Sequence, residues 1–150
     1  MIAVIQRVSG ASVSVDGNVT GECGQGLCVL LGVAREDTRE DAEALARKII
    51  NLRIFEDDCG KMNRSILDVG GSMLVVSNFT LLASYKKGNR PDYMGAAAPD
   101  TANELYEYFS QLCERSVPTG KGIFGADMKL RIDNDGPVTI VMDSRVLLGK

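Results

Sequence analysis

Two hydroxyls and an amide lie close together in Ser77-Asn78-Phe79-Thr80, at the end of the mostly apolar run Ser72–Ser77. That run is typical of a buried strand, and a strand that ends at a cleft presents its last hydroxyls together with successive backbone N–H groups. Backbone amides of this kind can stabilise the oxyanion of acyl transfer, often by about 2.7–4 kcal/mol per donor. The same short segment is also typical of an ordinary strand end, so both interpretations stay open.

The dipeptide Gly136-Pro137 lies between Met128–Ile132 and Val138–Met142, two segments whose alternating pattern predicts strands. Gly-Pro between strands is most often only a tight turn. A cis bond, which occurs at about 5–6% of X-Pro peptides, would instead fix a carbonyl and a proline ring rigidly in space, as a steric gate requires. The local pattern does not decide between these two interpretations.

The chain contains no histidine. This excludes Ser-His-Asp and Cys-His nucleophilic sites, imidazole bases and histidine-ligated metals. The four cysteines have no metal-binding spacing, so we expect neither a metal nor a cofactor. A hydrolase with this composition would depend on backbone dipoles, hydroxyls, carboxylates or the substrate itself.

The composition is typical of a soluble globular protein, with 45% apolar and 25% charged residues, and we expect one domain over residues 1–150. The longest apolar run, Leu27–Leu31, is far shorter than the roughly 18 residues that span a membrane. Met1–Val8 lacks the basic leader of a signal peptide, and unpaired cysteines favour a reducing compartment. We therefore expect a cytoplasmic protein without a membrane partner.

A net charge of −3 argues against wide, sequence-independent nucleic-acid binding, which needs many phosphate contacts. Basic residues nevertheless cluster at Lys86, Lys87 and Arg90, with Lys121 and Lys129 later in the chain. Such residues are more often solvated surface than binding site, but this cluster could form a local phosphate contact.

Hydrophobic periodicity predicts two main helices and seven or eight strands. The helices are Thr38–Asn51, in which a capping threonine is followed three residues later by Asp41, and about Pro99–Glu114. Further strands are predicted at Ile2–Val8, Ala11–Val15, Val19–Glu22, Leu27–Val33 and Arg53–Glu56, with a hairpin turn at Asp16-Gly17-Asn18 and a glycine-rich loop at Thr119–Gly125. Because strands are in the majority, we expect a single mixed α/β domain built on a curved sheet or partial barrel.

Seven segments together are more informative than any one of them: Val4–Val13, Lys61–Asn63, Leu67–Gly71, Val75–Ala83, Lys87–Pro91, Phe124–Met128 and Asn134–Thr139. In this order they resemble the motifs of the D-aminoacyl-tRNA deacylases along essentially the whole chain. The last segment resembles the Gly-cisPro motif of that family. One departure is Asn78, which stands where the family usually has glutamine and is one methylene shorter. This departure bears on the rate or the substrate breadth.

The resemblance implies a deacylase-like fold and a hydrolase that cleaves the ester bond of D-aminoacyl-tRNA. It also implies activity on mischarged glycyl-tRNA and rejection of L-aminoacyl substrates. The family forms homodimers, in which the Gly136-Pro137 turn of each subunit enters the active site of the other. Arg7 matches the residue expected to hold that turn.

The resemblance also assigns the remaining site residues. Ser77, Phe79 and Thr80 would form the catalytic strand end, where the amides of Phe79 and Thr80 face the aminoacyl carbonyl. Asn78 and Phe124 would contact the substrate, with the terminal adenosine of tRNA in a pocket beside Phe124.

Two mechanisms remain open. In the preferred one, the ribose 2′-hydroxyl of the terminal adenosine orients or activates water, and backbone amides hold the oxyanion. In the other, the Thr80 hydroxyl is the nucleophile, although the motif supplies no histidine or lysine to take its proton.

A different class of function is a non-catalytic nucleic-acid-binding module on the same fold. The absence of a basic tail before Lys150 disfavours it. We therefore expect tRNA rather than DNA as the partner. A generic esterase is disfavoured, because the chain has no histidine to activate a nucleophile.

Overall fold

Eight strands and three α-helices are present in the computed structural model, which describes residues 1–150. The strands are β1 Ile2–Val15, β2 Asn18–Cys23, β3 Gly26–Gly32, β4 Phe55–Glu56, β5 Met62–Arg64, β6 Ser72–Ser77, β7 Thr119–Lys121 and β8 Lys129–Asp143. The helices are α1 Arg39–Ile50, α2 Pro99–Glu114 and α3 Ser144–Leu148, and a 3₁₀ helix spans Phe79–Leu82.

Six of the strands form one mixed sheet that nearly closes into a barrel. The hydrogen-bonded path runs β2-β1-β3-β6-β7, and β8 pairs with β1 along almost its whole length. The two ends of the path approach so closely that a Cβ atom at Gly21 would lie 2.2 Å from the carbonyl oxygen of Lys121. Only glycine permits this approach. The predicted single mixed α/β domain with a strongly curved sheet is confirmed.

Each face of the sheet carries an apolar layer. On one face, α1 and α2 pack against Ile5, Val29 and Val75 within a cluster of 23 buried residues. On the other face, inside the curve of the sheet, a smaller cluster consists of Val8, Ala11, Val13, Cys28, Leu74 and Val76. The central strands β3 and β6 are therefore buried on both sides, as their continuous apolar sequences predict.

The two long helices lie where the periodicity predicts them. The N–H of Thr38 donates to the Asp41 carboxylate (2.9 Å), which forms the expected capping box at the start of α1. Pro99 occupies the first turn of α2, where a missing N–H costs nothing. No helix is both long enough and apolar enough to cross a membrane.

Several predicted strand boundaries are wrong. The two N-terminal strands are one continuous strand, β1, whose pairing with β8 shifts register near Val8. The stretch predicted as a glycine-rich loop begins with β7, since Thr119 pairs in parallel with Met73. The hairpin prediction is confirmed, because Asp16 and Gly17 both have positive φ (49° and 80°), as a type I′ turn requires.

Candidate functional site

A cavity of about 750 Å³ opens where β3 and β6 end. Its walls are mostly apolar, and its polar edge is formed by the segment Ser77–Thr80 and by the loop Gly125–Asp127. A concave apolar site of this size with a few polar groups at one edge is typical of small-molecule and cofactor pockets.

The polar edge of the cavity begins at the last residue of β6, Ser77. The N–H of Asn78 still donates to the carbonyl of Leu31 (2.8 Å), and the chain then turns into the 3₁₀ helix at Phe79. The N–H groups at the start of a helix have no intrahelical acceptor. Those of Phe79 and Thr80 also make none of the backbone hydrogen bonds in turns and loops. The cavity edge therefore presents two successive free amide donors.

The Ser77–Thr80 segment of this edge carries no strong base, and the carboxylate of Asp127, in the other segment, is exposed and paired with Lys129. The hydroxyl of Thr80 donates to the amide oxygen of Asn78 (2.5 Å), which is too weakly basic to take its proton. Phe79 is 58% exposed, and its ring meets that of Tyr93 edge to face at 5.1 Å. The sequence predicted none of these partners, because the 3₁₀ helix that brings them together has no periodic pattern.

Two aromatic rings form the deep wall of the cavity. Tyr106, on the inward stripe of α2, donates its hydroxyl to the carbonyl of Val75 (3.0 Å), and its ring lies 6.1 Å from that of Phe124. Burial raises the pKa of Tyr106, with the Glu107 carboxylate adding to the effect, so its hydroxyl remains a donor at neutral pH. Sequence periodicity identified Tyr106 only as a core residue.

The Gly136-Pro137 dipeptide lies in a bulge of β8 and not in a turn between two strands. Asn134 pairs with Val8 and Thr139 with Gln6, so four residues of β8 lie opposite the single residue Arg7 of β1. The Gly136-Pro137 peptide bond is cis, and both residues are exposed. Both flanking segments predicted as strands do pair with β1, but they belong to one strand, β8, because the pairing continues on both sides of the bulge.

Arg7 and Asn134 hold this bulge in place. The buried guanidinium of Arg7 donates to the carbonyl of Asp135 (3.1 Å) and, across the core, to that of Ile54 (2.8 Å). The side-chain amide of Asn134 accepts from the N–H of Val138 (3.1 Å) and donates to its carbonyl (3.2 Å), so it replaces a strand partner. The predicted contact of Arg7 with the turn is present, whereas the role of Asn134 was not predicted.

Comparison with known proteins now adds a family. The model of the D-Tyr-tRNA(Tyr) deacylase family matches residues 4–143. A D-aminoacyl-tRNA deacylase from Sulfurihydrogenibium sp. (strain YO3AOP1) is 54% identical over 147 residues, which cover 98% of this chain and all of that protein. The chain belongs to the D-Tyr-tRNA(Tyr) deacylase family. The prediction that it is an enzyme of this family is confirmed.

Two solved structures have the same fold. One, named c-Myc DNA Unwinding Element Binding Protein, is 43% identical with a TM-score of 0.90, over 95% of this chain and 98% of that one. The other, described as a probable eukaryotic D-amino acid tRNA deacylase, is only 16% identical with a TM-score of 0.83, over 94% and 97% of the two chains. At that identity the second likeness establishes the fold alone, and it confirms the predicted deacylase-like fold.

In this member of the deacylase family, the predicted site residues fall into two groups. The cavity brings together Ser77, Asn78, Phe79, Thr80 and Phe124. It does not include Arg7, Gly136 or Pro137, which form the bulge on β8. Within one chain the two halves of the predicted site are therefore separate, and the catalytic and binding roles of these eight residues remain predictions.

The basic residues also fall into two groups, those paired with a carboxylate and those without an ionic partner. Lys121 is paired with Glu107 (2.7 Å) and Lys129 with Asp127 (3.3 Å). Lys86, Lys87 and Arg90 are exposed, and none of them forms an ion pair. No group of three or more cysteine, aspartate or glutamate side chains converges in a way that could hold a metal ion.

Proposed function

We propose that this protein hydrolyses the ester bond of D-aminoacyl-tRNA, that it also accepts glycyl-tRNA, and that it rejects L-aminoacyl-tRNA. Family membership supports the hydrolysis of D-aminoacyl-tRNA. The observation that carries the chemical proposal is the pair of free amides, of Phe79 and Thr80, at the edge of an apolar cavity in a chain without histidine. Because such an enzyme works where tRNA is charged and used, we also propose a cytoplasmic location.

The terminal adenosine of the tRNA occupies the cavity in this proposal. An adenine ring is flat and apolar on its faces, and the rings of Phe124 and Tyr106 offer it an aromatic wall. The ribose and its ester then lie towards Ser77–Thr80, the polar edge. The cavity volume of about 750 Å³ is ample for a nucleoside.

Hydrolysis proceeds by attack of water on the ester carbonyl carbon. The amides of Phe79 and Thr80 donate to the carbonyl oxygen as it becomes negative, and the bond to the ribose oxygen then breaks. The ribose oxygen takes a proton, and free tRNA and the amino acid carboxylate leave. The neighbouring 2′-hydroxyl of the substrate orients the water, because the Ser77–Thr80 segment offers no side-chain base and the Asp127 carboxylate is paired with Lys129. The competing mechanism, with Thr80 as nucleophile, lacks a base for the hydroxyl proton, because that hydroxyl donates to the weakly basic amide oxygen of Asn78.

Chiral selection requires the exposed bulge at Gly136-Pro137. In our proposal, two copies of the chain form a homodimer in which the bulge of each enters the cavity of the other. There its carbonyls crowd any side chain on an L-configured α-carbon, whereas a D side chain points outward. Glycine has no side chain to exclude and is hydrolysed. The exposure of both residues in the single chain and their rigid support by Arg7 are what this arrangement needs.

The test is a hydrolysis assay with three substrates on the same tRNA body: D-tyrosyl-tRNA, L-tyrosyl-tRNA and glycyl-tRNA. We expect rapid release of D-tyrosine and glycine, and release of L-tyrosine near the uncatalysed rate. Equal hydrolysis of the D- and L-esters would disprove chiral selection but leave the deacylase activity in place. No hydrolysis of any substrate would disprove the proposed function as a whole.

A second candidate is nucleic-acid binding without catalysis, and one observation favours it: the 43% identical structure carries the name of a DNA-binding protein. The assay above separates the two candidates, because a binder would not turn over. Binding to a DNA duplex, measured beside binding to uncharged tRNA, gives the complementary result.

A further inference from the structure

The segment Ser84–Gly95, called here the rim loop, borders the mouth of the cavity. Its two arms are joined by backbone hydrogen bonds in both directions between Ser84 and Asp92 (2.7 and 2.9 Å). Thr80 precedes the loop and Ala96 follows it, and both line the cavity. When a polymer places its last unit in the cavity, the units that precede it can therefore contact the rim loop.

The exposed aromatic rings of the protein are concentrated at this place. The chain has four phenylalanines, four tyrosines and no tryptophan, and the exposed ones are Phe79, Tyr85 and Tyr93. Tyr93 is 38% exposed and packs on Phe79, whereas Tyr85 is 81% exposed. Exposed aromatic rings clustered beside a cleft mark a surface that binds a partner. A ring left in water does not contribute the stability that it would give if it were buried in the core.

The charge of the rim loop contrasts with that of the whole protein. Lys86, Lys87 and Arg90 outnumber the single carboxylate, Asp92, in a chain whose net charge is −3. Asp92 accepts a hydrogen bond from the N–H of Met94 (2.6 Å) within the loop, and none of the three cations has an ionic partner. Unpaired cations beside exposed aromatic rings are the combination by which proteins hold single-stranded nucleic acid.

We propose that the rim loop binds the unpaired nucleotides that precede the terminal adenosine of the tRNA. One base stacks on Tyr85, and Lys86, Lys87 and Arg90 contact the phosphates. The inference rests on the proposed function only for the identity of the RNA. Stacking and phosphate contacts are both tolerant of base sequence, so this surface would serve many tRNAs alike.

Binding of uncharged RNA tests the proposal independently of catalysis. Two RNA hairpins are compared, one with a four-nucleotide single-stranded 3′ tail and one with a blunt end. We expect wild type to prefer the tailed hairpin, Tyr85→Ala to bind it about tenfold more weakly, and Tyr85→Phe to bind as wild type. The double variant Lys86→Ala/Lys87→Ala should reduce the slope of log K against log salt by about 1.4.

The matched control is Arg47→Ala/Lys48→Ala, which removes two exposed and unpaired cations from α1. It changes the net charge equally and should leave the preference for the tail unchanged. An equal loss in both double variants would attribute the effect to net charge and overturn the proposal. Equal binding of tailed and blunt hairpins by wild type would overturn it as well.

Kinetics provide a second measurement. With D-tyrosyl-tRNA as substrate, Tyr85→Ala should raise KM about tenfold and leave kcat unchanged. With 3′-O-D-tyrosyl-adenosine, which has no preceding nucleotides, the same variant should match wild type. An equal rise of KM for both substrates would show that the loop acts on the cavity itself and would overturn the proposal. Wild type inactive on both substrates would overturn the proposed function, while the hairpin experiment would still decide the inference.

Discussion

Arg7 is a buried cation whose hydrogen bonds join parts of the chain that are far apart in sequence. Its guanidinium reaches the carbonyl of Ile54 in the core and the carbonyl of Asp135 in the bulge, with the Asp135 carboxylate 3.4 Å away. A buried cation is costly unless it is paired and hydrogen-bonded, so these contacts are needed to retain it. The same contacts make Arg7 a positioning residue for Gly136-Pro137.

Replacing Arg7 by methionine should therefore affect stability and selectivity together. The buried carbonyl of Ile54 would lose its donor, and an unsatisfied buried acceptor costs about 1–3 kcal/mol, whereas the carbonyl of the exposed Asp135 can turn to water, so we expect Arg7→Met to lose about 1–3 kcal/mol in urea unfolding. The ratio of D- to L-tyrosyl-tRNA hydrolysis should fall as the bulge loosens. Arg131→Met, at an exposed position of β8, is the control and should change stability by less than about 0.5 kcal/mol. Equal stability of the two variants would contradict this prediction.

The two proposed mechanisms differ in whether the hydroxyl of Thr80 is the nucleophile. Its hydroxyl donates to Asn78, whereas its backbone N–H does not depend on the side chain. If the substrate supplies the catalytic hydroxyl, Thr80→Ala should keep kcat for D-tyrosyl-tRNA within about tenfold of wild type. A tRNA ending in 2′-deoxyadenosine should then be nearly inert with either protein. Single-turnover hydrolysis measures both effects, and a loss of a thousandfold or more in Thr80→Ala, as expected for a missing nucleophile, would favour the other mechanism.

At the scale of the elements, α1 and α3 meet at a buried carboxylate. Asp41 accepts from the N–H of Thr38 and from the hydroxyl of Ser144 (2.9 and 2.8 Å). Burial alone would raise the pKa of Asp41, but these hydrogen bonds outweigh it, so the pKa lies below its ordinary value. A lowered carboxyl pKa in the folded state contributes stability above the unfolded value of about 3.9, and that contribution is lost as the pH falls through the folded pKa.

We therefore predict that Asp41→Asn is less stable than wild type at pH 7 and that the difference shrinks as the pH falls below about 4. Urea unfolding across this pH range measures the difference. Glu40→Gln, which changes an exposed carboxylate on the same helix, should show no such convergence. A stability difference that stays constant from neutral to acid pH would mean that Asp41 acts through packing and not through its charge.

The elements that local sequence could predict are those whose own residues determine them. Helix α1 has its cap and its apolar stripe within fourteen residues, and β6 has a continuous apolar run. The strand β7 depends on pairing with Met73, far away in the sequence, so no local pattern could reveal it. The bulge was not predictable from local sequence either. Gly136-Pro137 indicated a turn, but its place within one strand depends on Arg7 and on pairing with β1.

The sequence predicted part of the candidate site and missed two of its aromatic residues. The five residues predicted for the pocket do line one cavity, because four of them follow one another at a strand end. Tyr106 was missed, since an inward tyrosine on a helix gives no sign of whether it faces core or cavity. Tyr93 was missed because only the folded rim loop brings its ring against Phe79.

At the scale of the whole molecule, the cavity and the bulge, which are the two halves of the site that we propose, lie on different parts of one chain. Strand β8, which carries the bulge, has an exposed apolar position at Val141, which is 67% exposed and pairs with Val4 of β1. Side chains directly opposite on paired strands stand together, so β1 and β8 offer an apolar surface beside the bulge. A second copy of the chain would cover this surface in the homodimer that we propose.

Val141→Lys should therefore weaken the homodimer, since a lysine in an apolar interface must be desolvated without a partner. Light scattering across a dilution series should show wild type as a dimer and the variant shifted towards monomer. As the dimer dissociates, the ratio of D- to L-tyrosyl-tRNA hydrolysis should fall, because each cavity loses the bulge of its neighbour. The matched control is Val19→Lys, on β2 and 60% exposed, which should change neither the mass nor the ratio. A monomeric Val141→Lys that still rejects the L-ester as strictly as wild type would show that the bulge does not act from a second subunit.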